Sequence, residues 1–310
     1  MVQLTKPFMS QKKILVIGSS NTDMVIKTHH FPAPGETILG GHFLMNAGGK
    51  GANQAVAAAR LGGMVIFVGK IGNDIFGKQA VQQLKAEGIN IDFVSVDPEN
   101  PSGVALITVD QKGENSIVVA SGSNGTLSPD DFDKALTELN ESDFVLMQLE
   151  IPIPTVEYIA KMAAKKQKKV ILNPAPAAEL SVELLQNLYL ITPNETEAEL
   201  LTGIKVTDEQ SALKAATCLH EKGVELVIIT MGSAGAFLLD GGKSEIIKAP
   251  KVVAVDTTAA GDTFSGALAV ALSEGKTIQE SIAFANKAAS ISVTRIGAQS
   301  SVPYRKEISN

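Results

Sequence analysis

Apolar positions along the chain fall into short β-branched runs, separated by longer segments rich in alanine and leucine. KILVIG at residues 13–18 predicts a buried strand. MVIK at 24–27 and TILGGHFL at 37–44 predict two more strands, with the prolines and glycine of FPAPGE turning the chain between them. Residues 50–61 are alanine-rich and predict a helix that Gly62 and Gly63 stop. From there strands and helices alternate. MVIFVGKIG predicts a strand and 76–87 a helix, and the strands 103–109 and 115–120 are joined by DQKGE as a hairpin. Ser128 opens a helix with proline and acids in its first turn (SPDDFDKALTEL). A strand at 144–150, a helix at 155–166 and a strand at 169–173 follow, then the strand LYLIT and helices at 195–201 and 208–222. The strand ELVIITMG, a hairpin turning at 240–242, and helices at 261–273 and 277–293 complete the pattern.

This alternation predicts an α/β fold: one three-layer α/β/α domain over 13–310 with a mostly parallel sheet. Residues 1–12 are expected to be a flexible N-terminal extension. Residues 21–45 and 101–121 are strands without intervening helices, and they predict a small inserted β-sheet that acts as a lid over the strand ends.

Composition narrows the class. Lysine and arginine total 27 against 33 aspartates and glutamates, a net charge of −6, with no basic run. That balance lacks the electrostatic footprint of a nucleic-acid binder. At 45% hydrophobic and 19% charged residues the chain is globular rather than disordered. Its apolar stretches fall short of the ~20 residues that span a bilayer, and the N-terminus has no apolar signal core. The one cysteine, Cys218, excludes disulfide and cysteine-rich zinc scaffolds and fits a reducing cytoplasm.

Five segments carry candidate chemistry. In AVDTTAAGDTFSGAL (254–268) a strand is expected to end at Asp256, small residues follow, and a helix begins. Small residues let backbone N–H groups converge on an anion, and the helix adds its positive end. Asp262 beside that anion hole is either an N-cap or the base that phosphoryl transfer requires. In NAGGKGANQAVAAARLGG (46–63), Gly48, Gly49 and Gly51 permit close approach of a ligand to the backbone, and Lys50 and Asn53 are polar groups opening an apolar helix. Asn21 to Asp23 lie where a ligand-facing turn is expected, and serve equally as turn residues. Glu195, Glu197 and Glu199 gather at a helix start, where they compensate the macrodipole, and Asn194 with Glu197 is spaced to reach a phosphate or hydrated magnesium. TMGSAG (230–235) is a glycine turn after a strand, suited to a nucleotide.

Other matches fail. GNDIFGKQ (72–79) nearly fits a phosphate loop, but Gln79 stands where a hydroxyl must hold magnesium. GGKS (241–244) lies in a hairpin with Phe237 at the required glycine. No GxGxxG follows the first strand, and GxSxG is absent. His29, His30, His42 and His220 are expected to be ordinary surface or lid histidines.

AGGKGANQAVAAARLGG and DTTAAGDTFSGAL resemble the two signatures of the PfkB carbohydrate kinase family. GSSNTD, LMQLEIP, NPAPA, TPNETEAELLTG and IGAQSSVP extend the resemblance over residues 13–304. The resemblance implies ATP-dependent phosphorylation of D-ribose at O5, giving ribose 5-phosphate and ADP. It implies Asp262 as catalytic base, with Ala259, Ala260 and Gly261 forming the anion hole. Asn21, Asp23, Gly49, Lys50, Asn53, Glu150 and Asp262 would hold the sugar. Asn194, Thr230, Gly232, Ser233, Gly235, Gly261 and Asn286 would hold the nucleotide, with Glu197 reaching its Mg2+ indirectly. An activating K+ would sit among Asp256, Thr258, Ser292, Arg295, Gly297 and Ser301, several through backbone carbonyls. A homodimer through the lid sheets is also implied. Another sugar or nucleoside kinase of the family, and a catalytically silent sugar- or nucleotide-binding regulator, remain as alternatives.

Overall fold

Strand β1 (Lys13–Ile17) shows why this chain forms a layered fold: Ile14 and Val16 enter one core, while Leu15 and Ile17 enter another on the opposite face. A strand apolar on both sides must be covered on both sides. The computed structural model describes residues 13–39 and 41–308, so the expected extension at 1–12 lies outside the described residues.

The main sheet has nine strands. They are β1, β4 (Met64–Gly72), β5 (Asn90–Asp97), β8 (Ser142–Met147), β9 (Lys169–Leu172), β10 (Leu190–Ile191), β11 (Leu226–Thr230), β12 (Ala236–Asp240) and β13 (Lys243–Ile247). Their order is β13-β12-β11-β10-β9-β8-β1-β4-β5, parallel except for the terminal hairpin of β12 and β13. A second sheet, ordered β3-β2-β6-β7, comprises β2 (Asn21–Lys27), β3 (His42–Gly48), β6 (Gly103–Val109) and β7 (Asn115–Ala120).

Helices α1 (Lys50–Arg60), α2 (Ile75–Ala86), α9 (Ala260–Ser273), α10 (Ile278–Ser292) and α11 (Arg305–Ile308) supply one core. Helices α3 (Pro129–Asp133), α4 (Leu136–Glu141), α5 (Ile153–Lys165), α6 (Val182–Gln186), α7 (Glu195–Thr202) and α8 (Glu209–Glu221) supply the other. α9 is buried along nearly its whole length because alanine and glycine let it nest against α1: a Cβ on Gly266 would lie 2.6 Å from the Gln54 carbonyl oxygen. Among the described residues no helix is long and apolar enough to cross a membrane.

Several expectations are corrected. Asn21, Thr22 and Asp23 are not a turn; they open β2, pairing with Gly48–Asn46 on one side and Gly103–Ala105 on the other. The strand expected at 37–44 runs instead from His42 to Gly48, because the ladder to β2 sets its register and continues through small, weakly apolar residues. β5 was not expected: its apolar positions are interrupted by polar ones, as suits an edge strand. The helix opened by Ser128 divides into α3 and α4 at Ala135, although Ser128 does form the capping box that starts it. Residues 248–259 form no strand; the chain leaves the sheet after Ile247, and Pro250 has no N–H to extend a ladder. The expectation for Gly72–Gln79 holds: it is the passage from β4 into α2, where Asp74 caps the helix through the Gly77 N–H.

Candidate active site

The carboxyl ends of β9, β10 and β11 open onto one cleft, beside the point where the strand order reverses around β1. The cleft, of about 180 Å³, is lined by Lys50, Asn173, Thr192, Asn194, Glu197 and Thr230 and by the stretch from Thr257 to Ser265.

Asp262 is part of its lining. It is the third residue of α9 rather than the N-cap, so its side chain is released from capping. The N-cap is Ala259, a non-glycine residue in the left-handed region (φ 57°), with no side chain able to cap. Among the described residues, no hydrogen bond occupies the N–H groups of Gly261 and Asp262. The positive end of α9 therefore faces the cleft open, as an anion site requires. Asp262 is 6% exposed, and its carboxylate accepts from Asn53 Nδ2 and Gln54 Nε2, each at 3.0 Å.

Glycine packing brings α1 to this point. Gly49 (φ 88°) precedes the helix so closely that a Cβ would fall 2.6 Å from the Asn21 nitrogen. Lys50 then begins α1, and its N–H donates to Glu150 Oε2 at 2.9 Å while Ser19 Oγ donates to the same oxygen. Burial alone would lower the Lys50 ammonium, but Asp262, Glu150, Glu197 and Asp23 outweigh it and hold its pKa above the usual value. Asp23 is pushed up to about 6 by burial first and then by Glu150 and Asp262, against the pull of Lys50. Burial also raises Glu197, opposed by the Asn194 N–H and Lys50 and reinforced by Asp262. Carboxylates thus surround one ammonium.

On the far side, Asn194 and Glu197 form a reciprocal capping box on α7. Both Glu197 oxygens accept from Asn194, which suits contact with a hydrated ion better than direct ligation. Asn194 bridges to Thr230 at the end of β11, ahead of the turn through Gly232, Ser233 and Gly235. Asn286 is directed elsewhere: it is buried on α10 and donates to the Ile247 carbonyl at 2.8 Å.

A loop behind the small-residue run is tied to it by Asp256. Burial disfavours the Asp256 carboxylate, but donors on Thr258 and the Gly297 N–H outweigh it and hold its pKa below the ordinary value. Ser292, Arg295 and Ser301 make no hydrogen bond to Asp256 among the described residues; Arg295 donates instead to Glu307. Among the described residues no group of three or more His, Cys, Asp or Glu side chains could hold a metal ion.

Of the residues named from the sequence, Lys50, Asn194, Glu197, Thr230 and Ala259 to Asp262 line the cleft, and sequence reasoning does not single out Gln54, Gln148, Asn173, Asn124 and Ser19. The signal was present in part: Gln54 and Gln148 are polar residues inside apolar runs, and both are fully buried.

Residues 11–305 match the model of the pfkB family carbohydrate kinases. A ribokinase of Haemophilus influenzae is 50% identical over 96% of this chain and 97% of its own length. A ribokinase structure from Thermotoga maritima superposes with a TM-score of 0.88 at 42% identity, covering 96% of this chain and 98% of that one. The structure of Arabidopsis thaliana ribokinase complexed with ribose and ATP gives 0.89 at 36% identity over 96% and 98%. With its signature segments converging on one cleft, and with likeness of this extent, the chain belongs to the pfkB family of carbohydrate kinases.

Proposed function

We propose that this chain is a ribokinase, transferring the γ-phosphoryl group of ATP to O5 of D-ribose. The observation that carries the proposal is the meeting of Asp262 with the uncapped N-terminus of α9 in the cleft. Phosphoryl transfer needs a group that orients the attacking hydroxyl and donors where negative charge spreads, and these stand side by side. The relatives named ribokinase, at up to 50% identity, supply the substrates.

Asn21, Asp23, Gly49, Lys50, Asn53 and Glu150 hold the sugar, and Asp262 orients O5. A carboxylate is a weak base for an alcohol, so Asp262 takes the proton late and positioning supplies most of the acceleration. The N–H groups of Gly261 and Asp262 receive the charge of the transferring group, while that of Ala260 is held by the Thr257 carbonyl. Asn194, Thr230, Gly232, Ser233, Gly235 and Gly261 hold the nucleotide; Asn286 acts there indirectly, through the end of β13. Glu197 and Asn194 would hold a nucleotide-bound Mg2+ through water, and the ion would supply charge neutralisation there. The side-chain oxygens of Asp256 and Thr258, with the carbonyls of the 292–301 loop, would offer oxygen ligands that fit a hard monovalent cation, K+.

Residues 13–310 form one kinase domain in this reading, with the four-stranded sheet as its lid. The lid exposes Phe43, Leu106, Ile117 and Val118, which supports a homodimer through these sheets. A single half-buried cysteine suits a cytoplasmic location.

ADP release measured over pentoses, hexoses and nucleosides tests the function. Ribose should give the highest kcat/KM. Preference for another sugar or a nucleoside would replace the substrate, and ribose binding without ADP release would replace the enzyme with a sensor.

A further inference from the structure

Behind Asp262 lies a chain of three amides that the proposed mechanism does not use. Gln148 Nε2 donates to Gln54 Oε1 at 2.6 Å. Gln54 Nε2 donates both to Asp262 Oδ1 and to Asn173 Oδ1, each at 3.0 Å. Asn173 Nδ2 donates to the Thr192 carbonyl at 3.2 Å. Gln54 and Gln148 have no exposed surface, and Asn173 is 6% exposed.

The direction of these amides is dictated by chemistry. A backbone carbonyl accepts only, so Asn173 must turn its NH2 to Thr192 and its oxygen to Gln54. An ionised carboxylate also accepts only. Gln54 therefore faces acceptors on two sides, which claim both hydrogens of its NH2 and turn its oxygen to Gln148. The network is complete only when Asp262 holds one rotamer. Room for it is built into the backbone: a Cβ on Gly18 would lie 2.1 Å from Gln148 Oε1. That oxygen is left buried without a partner, an arrangement that costs stability and that packing alone does not call for.

We infer that Gln54 is a positioning residue for Asp262, holding its carboxylate in one rotamer aimed at the attacking hydroxyl, with Asn173 and Gln148 fixing the direction of the Gln54 amide. The inference rests on Asp262 as the base and adds the device that aims it. Asp262 is faced also by Asn53 and Lys50 of α1, Asp23 of β2 and Glu197 of α7, and among these only Asn53 shares the hydrogen-bonding task.

A double-mutant cycle on the full-length enzyme tests this. Gln54→Met keeps the length of the side chain and removes the amide. Misaiming a reacting group by ~1 Å costs about 100-fold, so kcat should fall roughly 10- to 100-fold. The KM values for ribose and ATP should stay within about threefold, since Gln54 has no exposed surface to offer either substrate. In an Asp262→Asn background the same change should cost less than about twofold, because the carboxylate it aims is gone. Equal losses in both backgrounds would show a merely structural role and overturn the inference, as would a folded Gln54→Met enzyme with wild-type kcat. Near wild-type kcat in Asp262→Asn alone would instead remove the base, and this inference with it. Should Gln54→Met not fold, Gln148→Met one link further back is read in the same cycle, with a smaller fall in kcat expected and the same outcomes deciding.

Discussion

Asn124 and Asn21, 103 positions apart, meet in a buried amide pair in which Asn124 Nδ2 donates to Asn21 Oδ1 at 2.8 Å. Asn124 has no freedom to turn, because its oxygen accepts from the Ser20 N–H at 2.9 Å and its NH2 also serves the Ser20 carbonyl. The Asn21 oxygen is thereby consumed, and its NH2 remains as the group available to a sugar hydroxyl. Asn124→Ala should raise the KM for ribose about tenfold, the worth of roughly one well-made hydrogen bond, and leave the KM for ATP unchanged. Steady-state kinetics with each substrate varied in turn check this; equal changes in both would mean a general loosening of the site.

Asp262→Asn should lower kcat by roughly 10²–10⁴-fold, the usual contribution of a positioned acid or base, while ribose and ATP still bind. Since Ala259 and not Asp262 occupies the N-cap, no capping interaction is lost. The new amide does set an NH2 against the donors of Asn53 or Gln54, so a loss of about 1–2 kcal/mol in stability is expected as well. Turnover, ribose affinity and melting temperature measured on one preparation decide it, and a folded variant with near wild-type kcat would refute the catalytic assignment.

Asp23 titrates near pH 6 without substrate. Its raised pKa means that the folded enzyme binds this proton more tightly than the unfolded chain, so the stability it contributes is present at low pH and is lost as pH rises through about 6. Ribose binding has the opposite sign, because sugar hydroxyls donate to the ionised form. The KM for ribose should therefore rise about tenfold per unit as pH falls below that value, and Asp23→Asn should abolish the slope while weakening binding throughout. A flat profile in the wild-type enzyme would exclude Asp23 from the sugar site.

Potassium should raise kcat severalfold over sodium, because Asp256 ties the small-residue run, through Thr258, to Gly297 in the oxygen-lined loop. Ordering that pair should steady the N–H groups that follow Ala259 without touching ribose. Asp256→Ala should remove the potassium response and leave the ribose KM nearly unchanged. Equal rates in a buffer free of potassium, ammonium and caesium would dismiss the cation.

Local signals made most of the fold legible. Buried parallel strands are continuous apolar runs, and glycine stops and serine caps mark helix ends, so β1, α1, β4 and the β6–β7 hairpin fall where the pattern puts them. β5 escaped because an edge strand mixes polar and apolar residues, and β3 was misplaced because its register comes from β2 and not from its own hydrophobicity. The site divides in the same way. Asp262 and Lys50 announce themselves by sitting next to glycine and alanine runs. Gln54, Gln148 and Asn124 act through partners 94 to 208 residues away, and no spacing along the chain encodes such meetings.

Ala259 offers the last test. It holds φ at 57°, a conformation that costs an L-residue roughly 1–2 kcal/mol and glycine almost nothing. Strain of this kind is retained where the surroundings and the function require one backbone geometry. Here that geometry starts α9 abruptly and leaves the N–H groups of Gly261 and Asp262 facing the cleft. Ala259→Gly relieves the strain but frees the unfolded chain, and the two effects nearly cancel, so stability should change by less than about 1 kcal/mol. Catalysis should respond differently. A glycine lets the segment sample other conformations, the donors are no longer held in place before the charge develops, and kcat should fall severalfold while the ribose KM holds. If kcat and stability both remain at wild-type values, the left-handed turn is only a way of connecting the loop to the helix, and the preorganisation of the anion hole must come from the helix end alone.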